Sequence, residues 1–131
     1  MTQQSISGFR VLVVEDEMLI ALDIEATLNA LGCRVIGPMA SLKDALRAAT
    51  SELFDAAILD VTIRNEFVYP VAEKLLELGI PFALASGYGQ WALPEPMRAH
   101  PRLTKPFTTE QLEAQIWDLL KISNDRKSHS V

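Results

Sequence analysis

Val11-Leu12-Val13-Val14-Glu15-Asp16 reads as a buried strand that stops on two acids, and the chain repeats the device twice. Ala56-Ala57-Ile58-Leu59 runs into Asp60, and Phe82-Ala83-Leu84-Ala85 runs into Ser86. A weaker apolar approach ends at Leu103-Thr104-Lys105-Pro106. These short β-branched and apolar runs alternate with stretches of helical period, which predicts βαβ units around a parallel sheet. In open sheets of that kind, ligands bind in the crevice just outside the C-terminal strand ends. An acidic pair, a lone aspartate, a hydroxyl and a lysine are therefore expected to meet there, a set suited to phosphate chemistry.

The segments between the strands carry helix signals. After Asp16, Ile20, Ile24, Leu28 and Leu31 recur near a 3.6 spacing, and Gly32 stands where a left-handed stop is expected. A short strand over Arg34 to Gly37 precedes Ser41-Leu42-Lys43-Asp44, an N-cap pattern, and the second helix carries Leu42, Ala45, Leu46, Ala49 and Leu53. Val68, Val71, Ala72, Leu75 and Leu76 form the clearest amphipathic stripe, closed by Gly79. Pro94, Pro96 and Pro101 leave room only for a short fourth helix. The last helix opens on Thr108-Thr109-Glu110-Gln111, a capping-box pattern, and buries Leu112, Ile116, Leu119 and Leu120. From Ser123 to Val131 the residues are polar and expected to fray. Met18, Phe54, Phe107 and Trp117 are expected as core or half-buried contacts, and His100 as a surface or loop residue.

With 131 residues and 49% hydrophobic content, the chain fits one domain that folds without a disulfide or a structural metal. The single Cys33 agrees and suggests a reducing compartment. The N-terminus has neither the basic nor the apolar region of a signal peptide, and no apolar run is long enough to span a bilayer, so a cytoplasmic location with no membrane contact is expected. A net charge of -5 argues against a nucleic-acid surface, which needs clustered Lys and Arg. Protein partners are expected instead.

If the sheet is doubly wound, the strands ending at Glu15-Asp16 and at Asp60 are neighbours and three acids converge. Two unit charges about 4 Å apart repel by about 4 kcal/mol at an effective dielectric near 20, so such a cluster raises a pKa or recruits a cation. Mg²⁺ suits it, because it takes oxygen ligands and keeps open positions for a phosphate oxygen. Asp60 is then the candidate nucleophile, able to form an acyl phosphate, with Lys105 as a point charge and the Ser86 hydroxyl as a donor. Asp16 or Asp60 taken alone is also readable as a helix N-cap, and Glu15 as a solvated rim charge.

Together these residues resemble the receiver domains of two-component response regulators, over nearly the whole stretch from Phe9 to Leu120. Glu15-Asp16 looks like the metal-binding acidic pair, Asp60 like the phosphoacceptor, Ser86 like the Ser/Thr position, and Lys105-Pro106 like the lysine-proline step. The resemblance implies Mg²⁺ on Asp16, Asp60 and the backbone carbonyl of Thr62, with Glu15 acting through water. It implies a flavodoxin-like (βα)5 fold, a five-stranded parallel sheet in the order 2-1-3-4-5, and often a cis Lys-Pro bond. Residues 1–8 then form an N-terminal extension, 9–122 the receiver domain and 123–131 a polar tail.

Pro81-Phe82-Ala83-Leu84-Ala85-Ser86-Gly87-Tyr88-Gly89 is further similar to the P-F-x-F-A-T-G-Y signature of the FAT GUY receivers. Those are found mainly in alphaproteobacteria and are often paired with histidine kinases of the HWE and HisKA_2 types, so such a kinase is the expected phosphodonor, with a downstream target or phosphotransfer protein as the second partner. Two departures from the common receiver pattern bear on signalling. Arg102 stands where most receivers carry a switch Tyr or Phe, and Val61-Thr62-Ile63-Arg64-Asn65-Glu66 lacks the usual proline and Met-Asp-Gly turn. Readout is therefore expected from the segment Gly87 to Pro101, with Tyr88 or Trp91. A stand-alone receiver, a phosphoacceptor rather than an enzyme acting on other substrates, is the leading expectation. A haloacid-dehalogenase-like phosphohydrolase wants an acid two residues after the nucleophile, where Thr62 stands; a pseudo-receiver that binds without phosphate is the third class.

Overall fold

Side-chain direction alternates along each strand, and that alternation divides the core into two faces of one sheet. In the computed structural model, which describes residues 5–87 and 93–128, the parallel strands are β1 (Arg10–Val14), β2 (Arg34–Met39), β3 (Ala56–Asp60), β6 (Phe82–Ser86) and β7 (Arg102–Thr104). Between β3 and β6 lies an antiparallel hairpin of β4 (Thr62–Ile63) and β5 (Glu66–Phe67). The helices are α1 (Met18–Leu31), α2 (Leu42–Ser51), α3 (Tyr69–Leu78), α4 (Glu95–Arg98) and α5 (Thr109–Ser128). The sheet order is β2-β1-β3-β6-β7. With the hairpin set aside, this is the expected doubly wound order 2-1-3-4-5.

Leu12, Val14, Ala57, Leu59, Phe82 and Leu84 point to the face covered by α2, α3 and α4. Val11, Val13, Ile58, Ala83 and Ala85 point to the other face, where Ile24 and Leu28 of α1 meet Leu112, Ile116 and Leu119 of α5. Every residue of β3 and β6 is buried, which is why those strands read as continuous apolar runs rather than alternating ones. Each fully buried Leu, Ile or Phe contributes about 2 kcal/mol of transfer free energy.

Several caps follow the sequence signals. Gly32 and Gly79 end α1 and α3 with φ of 92° and 70°. Asp44 N donates to Ser41 Oγ at 3.1 Å to open α2. At α5, Gln111 N donates to Thr108 Oγ1 (3.1 Å) while Thr108 N donates to Gln111 Oε1 (2.8 Å), a reciprocal capping box.

Other expectations need correction. The second strand runs on to Met39, past a cis Gly37–Pro38 bond. Leu53 lies beyond the end of α2 and is 76% exposed; Leu76 is also exposed, because the buried residues of α3 are Val71, Ala72 and Leu75, on another face. Met18 and Trp117 are exposed, facing away from the α1–α5 contact, whereas Phe54 is buried. His100 lies in a loop as expected, but it is half-buried there, stacked on Phe82 at 4.5 Å. The expected fraying from Ser123 does not occur through Ser128. Ser123 is fully buried, Arg126 Nη2 donates to Leu78 O at 3.0 Å, and Lys127 Nζ donates to Asp55 Oδ1 at 2.9 Å. Polar composition concealed a helix end held by tertiary partners. The residues before β1 are likewise docked: Ile6 is buried and Gly8 N donates to Gly32 O.

A cleft of acids and one lysine at the sheet's switch point

From β1 the chain crosses to β2 on one side and later returns to β3 on the other, so the ends of β1 and β3 flank the reversal of strand order. Backbone ends splay apart at such a point and leave a crevice. Glu15 and Asp16 leave β1 into it, Asp60 closes β3, and Ser86 closes β6. Glu15 is anchored by its own amide, which donates to Met39 O at 3.0 Å, and Val61 N donates to Ala85 O at 3.0 Å.

Carboxylate oxygens of Glu15, Asp16 and Asp60 lie within 4.8 Å of one another. The helix-cap alternative for Asp16 fails here, since the residue at the α1 N-cap is Glu17 and no side chain caps that end. Lys105 Nζ lies 2.9 Å from Asp60 Oδ2 and 3.0 Å from Glu15 Oε1, with Glu17 Oε1 at 3.7 Å. The Lys105–Pro106 bond is cis. Thr62 N reaches Asp60 Oδ1 at 3.4 Å, and Glu17 N donates to Glu15 Oε2 at 3.1 Å. All five expected side-chain positions, Glu15, Asp16, Asp60, Ser86 and Lys105, are thus brought to one place, with Thr62 beside them.

Burial makes this cluster electrostatically costly. Burial above all, and the adjoining Asp60 next, push the Glu15 carboxyl up to about 7. Burial works to lower Lys105, but hydrogen bonds and attraction from Asp60 and Glu15 outweigh it and raise the ammonium above its ordinary value. The ammonium thus occupies the position of a counter-ion to the acids. The donor set fits Mg²⁺ on chemical grounds: it is all oxygen and rich in carboxylates. In front of it opens a cleft of about 470 Å³, lined by Asp16, Asp60, Thr62, Arg64, Ser86 and Lys105 among others.

Two contributors escaped the sequence reading. Glu17 joins the Lys105 network from the rim, 63% exposed at its side chain. Arg64 and Asn65, treated above as part of a loop, form the two-residue tip of the β4–β5 hairpin with φ of 49° and 66°, and Arg64 N donates to Asp16 Oδ2 at 2.9 Å. A left-handed pair usually announces itself by Asn-Gly or Asp-Gly, a signal absent here. Arg102 sits opposite Leu84 on the edge strand, half-buried, with Nη1 buried and without a hydrogen-bond partner. Tyr88 and Trp91 lie outside the described residues.

Comparison with solved structures places this geometry. The chain is 35% identical to SdrG from Sphingomonas melonis Fr1, over 90% of this chain and 98% of that one, with a TM-score of 0.75. It is 25% identical to the response regulator PhyR from Brucella abortus, over 94% of this chain and 52% of PhyR, with a TM-score of 0.82. The chain belongs to the response regulator receivers. This receiver spans about half of PhyR and nearly all of SdrG, which has also been solved in a BeF3-activated conformation. The receiver shares its fold with the receiver domain of sensor histidine kinase PA1611 from Pseudomonas aeruginosa PAO1, solved with a magnesium ion in the active site cleft, at 23% identity over 88% of this chain and 99% of that one and a TM-score of 0.72. No family model matches the receiver, and no curated protein matches it. Among the described residues, no helix is long and apolar enough to cross a membrane.

Proposed function

We propose that this receiver accepts a phosphoryl group on Asp60 from a histidine kinase and passes the signal on by protein contact or phosphotransfer. The single observation that carries the reading is the Lys105 ammonium 2.9 Å from Asp60 Oδ2, inside a cleft that Asp16, Glu17 and Ser86 also line. An Asp60 oxygen attacks phosphorus, the bond from phosphorus to the donor's imidazole nitrogen breaks, and the nitrogen leaves with the electron pair. Lys105 offsets charge on the phosphoryl oxygens, and the Ser86 hydroxyl donates to one of them. Asp16, Asp60 and the Thr62 backbone carbonyl would hold Mg²⁺, with Glu15 acting through water. Bound Mg²⁺ supplies the positive charge that lets a dianion approach three acids.

The stretch Pro81 to Gly89 supports placement in the FAT GUY subfamily, and with it an HWE or HisKA_2 kinase as donor. A kinase charged by ATP places the receiver in the cytoplasm, and the acidic chain has protein partners rather than nucleic acid or membrane. Residues 9–122 are the signalling unit, and SdrG's BeF3-activated conformation supports phosphoryl-driven activation in a relative.

Incubation with acetyl phosphate and Mg²⁺, followed by intact mass measurement, tests the proposal. A stable phosphate adduct on the parent and none on Asp60→Asn is expected. Rapid turnover of phosphomonoesters would point to a hydrolase instead, and a parent chain that takes no phosphate would leave a binding module.

A further inference from the structure

Around the cleft stand four acids, Glu15, Asp16, Glu17 and Asp60, against two cations, Lys105 and Arg64. Lys105 is fully engaged: it contacts Asp60, Glu15 and Glu17. Arg64 is different. Its backbone amide is tied to Asp16 Oδ2 at 2.9 Å, and Val68 N donates to Val61 O at 2.8 Å to close the hairpin base. Its guanidinium makes no ion pair within 4.0 Å of a carboxylate among the described residues. Two successive left-handed residues form this tip beside the acid cluster; Asn65 adopts that conformation readily, whereas Arg64 is held in it with its amide bonded to Asp16.

We infer that Arg64 is a positioning residue for the incoming phosphoryl group, an arm that draws anionic phosphodonors over a rim that would otherwise repel them. The inference rests on the phosphoacceptor reading above and adds a role for a residue outside its ligand and nucleophile set. A cation at the mouth of an acidic cleft raises the local concentration of an anion and the rate of productive encounter, and salt screens the effect. It acts most on donors with the largest negative charge. The amide bond to Asp16 is backbone, so replacing the side chain leaves it in place.

The test compares the parent, Arg64→Ala and Arg64→Lys in Mg²⁺, with folding checked by circular dichroism. With dianionic acetyl phosphate, Arg64→Ala is expected to lower the second-order phosphorylation rate about five-fold at low salt, and Arg64→Lys to restore most of it. With phosphoramidate, whose ammonium group offsets part of its charge, the loss is expected to be smaller. The fall in rate with rising ionic strength should also be shallower in Arg64→Ala than in the parent, a readout that a merely structural role leaves unmoved. Calorimetric Mg²⁺ affinity should be unchanged or slightly higher in Arg64→Ala. Equal rates and equal salt slopes in parent and Arg64→Ala would overturn the inference, as would loss of Mg²⁺ binding, which would show that the side chain acts through hairpin shape. A parent chain that forms no adduct with either donor refutes the phosphoacceptor reading itself, and the inference with it.

Discussion

Lys105 Nζ reaches Asp60 Oδ2 at 2.9 Å across an intervening strand, because β6 lies between β3 and β7 in the sheet. Two strand spacings are roughly 9.6 Å, a span that lysine's four-carbon stem covers once β7 and β3 end at the same level. The strand between them ends on Ser86, whose carbonyl accepts from Lys105 N at 2.9 Å. A lysine, a hydroxyl residue and an aspartate at the C-terminal ends of three adjacent strands therefore form one rank along the sheet's edge.

Removing that ammonium should separate folding from signalling. Lys105→Ala leaves buried acids without their counter-ion, at an expected cost of about 2 kcal/mol in chelator. Saturating Mg²⁺ should restore much of this, since a ligand of the folded state stabilises it by mass action. Denaturant midpoints with and without Mg²⁺ check the first part. Titrating partner binding checks the second: the variant is expected to bind Mg²⁺ but to lose the phosphorylation-dependent change in partner affinity.

Stability without metal should fall as pH rises from about 5 to 7. Glu15 is pushed up to about 7, mainly by burial, from an ordinary 4.5. Between those values the folded chain holds a proton that the unfolded chain has released, so ionising Glu15 above pH 7 costs the folded state about 3 kcal/mol. Mg²⁺ competes for the same oxygens, and its affinity should rise over that range. Chemical denaturation in chelator at pH 5 and pH 8, repeated on Glu15→Gln, measures the effect. A pH dependence as steep in the variant as in the parent would count against it.

At the opposite end of the sheet the sign reverses. Burial works to raise Asp55, but hydrogen bonds from Arg10 and Lys127 prevail and hold its carboxyl well below the usual range. Arg10 Nη2 and Lys127 Nζ lie 3.0 and 2.9 Å from Oδ1. A depressed carboxylate stabilises above its unfolded value near 3.9 and loses that contribution as pH falls through the folded value. Asp55→Asn is expected to cost about 2 kcal/mol at pH 7, after allowance for the solvent exposure of both cations. Near pH 2 the difference between variant and parent should shrink, which thermal melts across that range will report.

Ser123 offers a gain. It is fully buried in α5 and its Oγ has no hydrogen-bond partner. A desolvated hydroxyl without a partner is unfavourable, and alanine is also the better helix former. Ser123→Ala should raise the unfolding free energy by about 1 kcal/mol, measured by urea denaturation.

Much of this could be read in the chain before any coordinates. The continuous apolar runs of β3 and β6 and the glycines at 32 and 79 mark elements by local rules, and each matches the observed boundary closely. Asp60, Ser86 and Lys105 were legible for the same reason, since each directly follows or closes an apolar run. The hairpin tip at Arg64-Asn65 was not, because arginine has no preference for the left-handed region and Asn65 is not followed by the glycine that usually marks such a pair. Trp117 and Leu53 misled for a related reason: hydrophobicity states a preference for burial, while exposure depends on whether a neighbouring element arrives to cover the site.

By itself, the sequence determined the main strands and helices of the sheet and its covering layers and which residues stand at the strand ends, because side-chain direction follows the local period of the backbone. Only the tertiary structure decided that Lys105 engages two acids at once, that Arg64 N holds Asp16, and that the last turns of α5 dock through Arg126 and Lys127. Those contacts join residues far apart in the chain, and they depend on how strands register and helices seat, which no local pattern encodes.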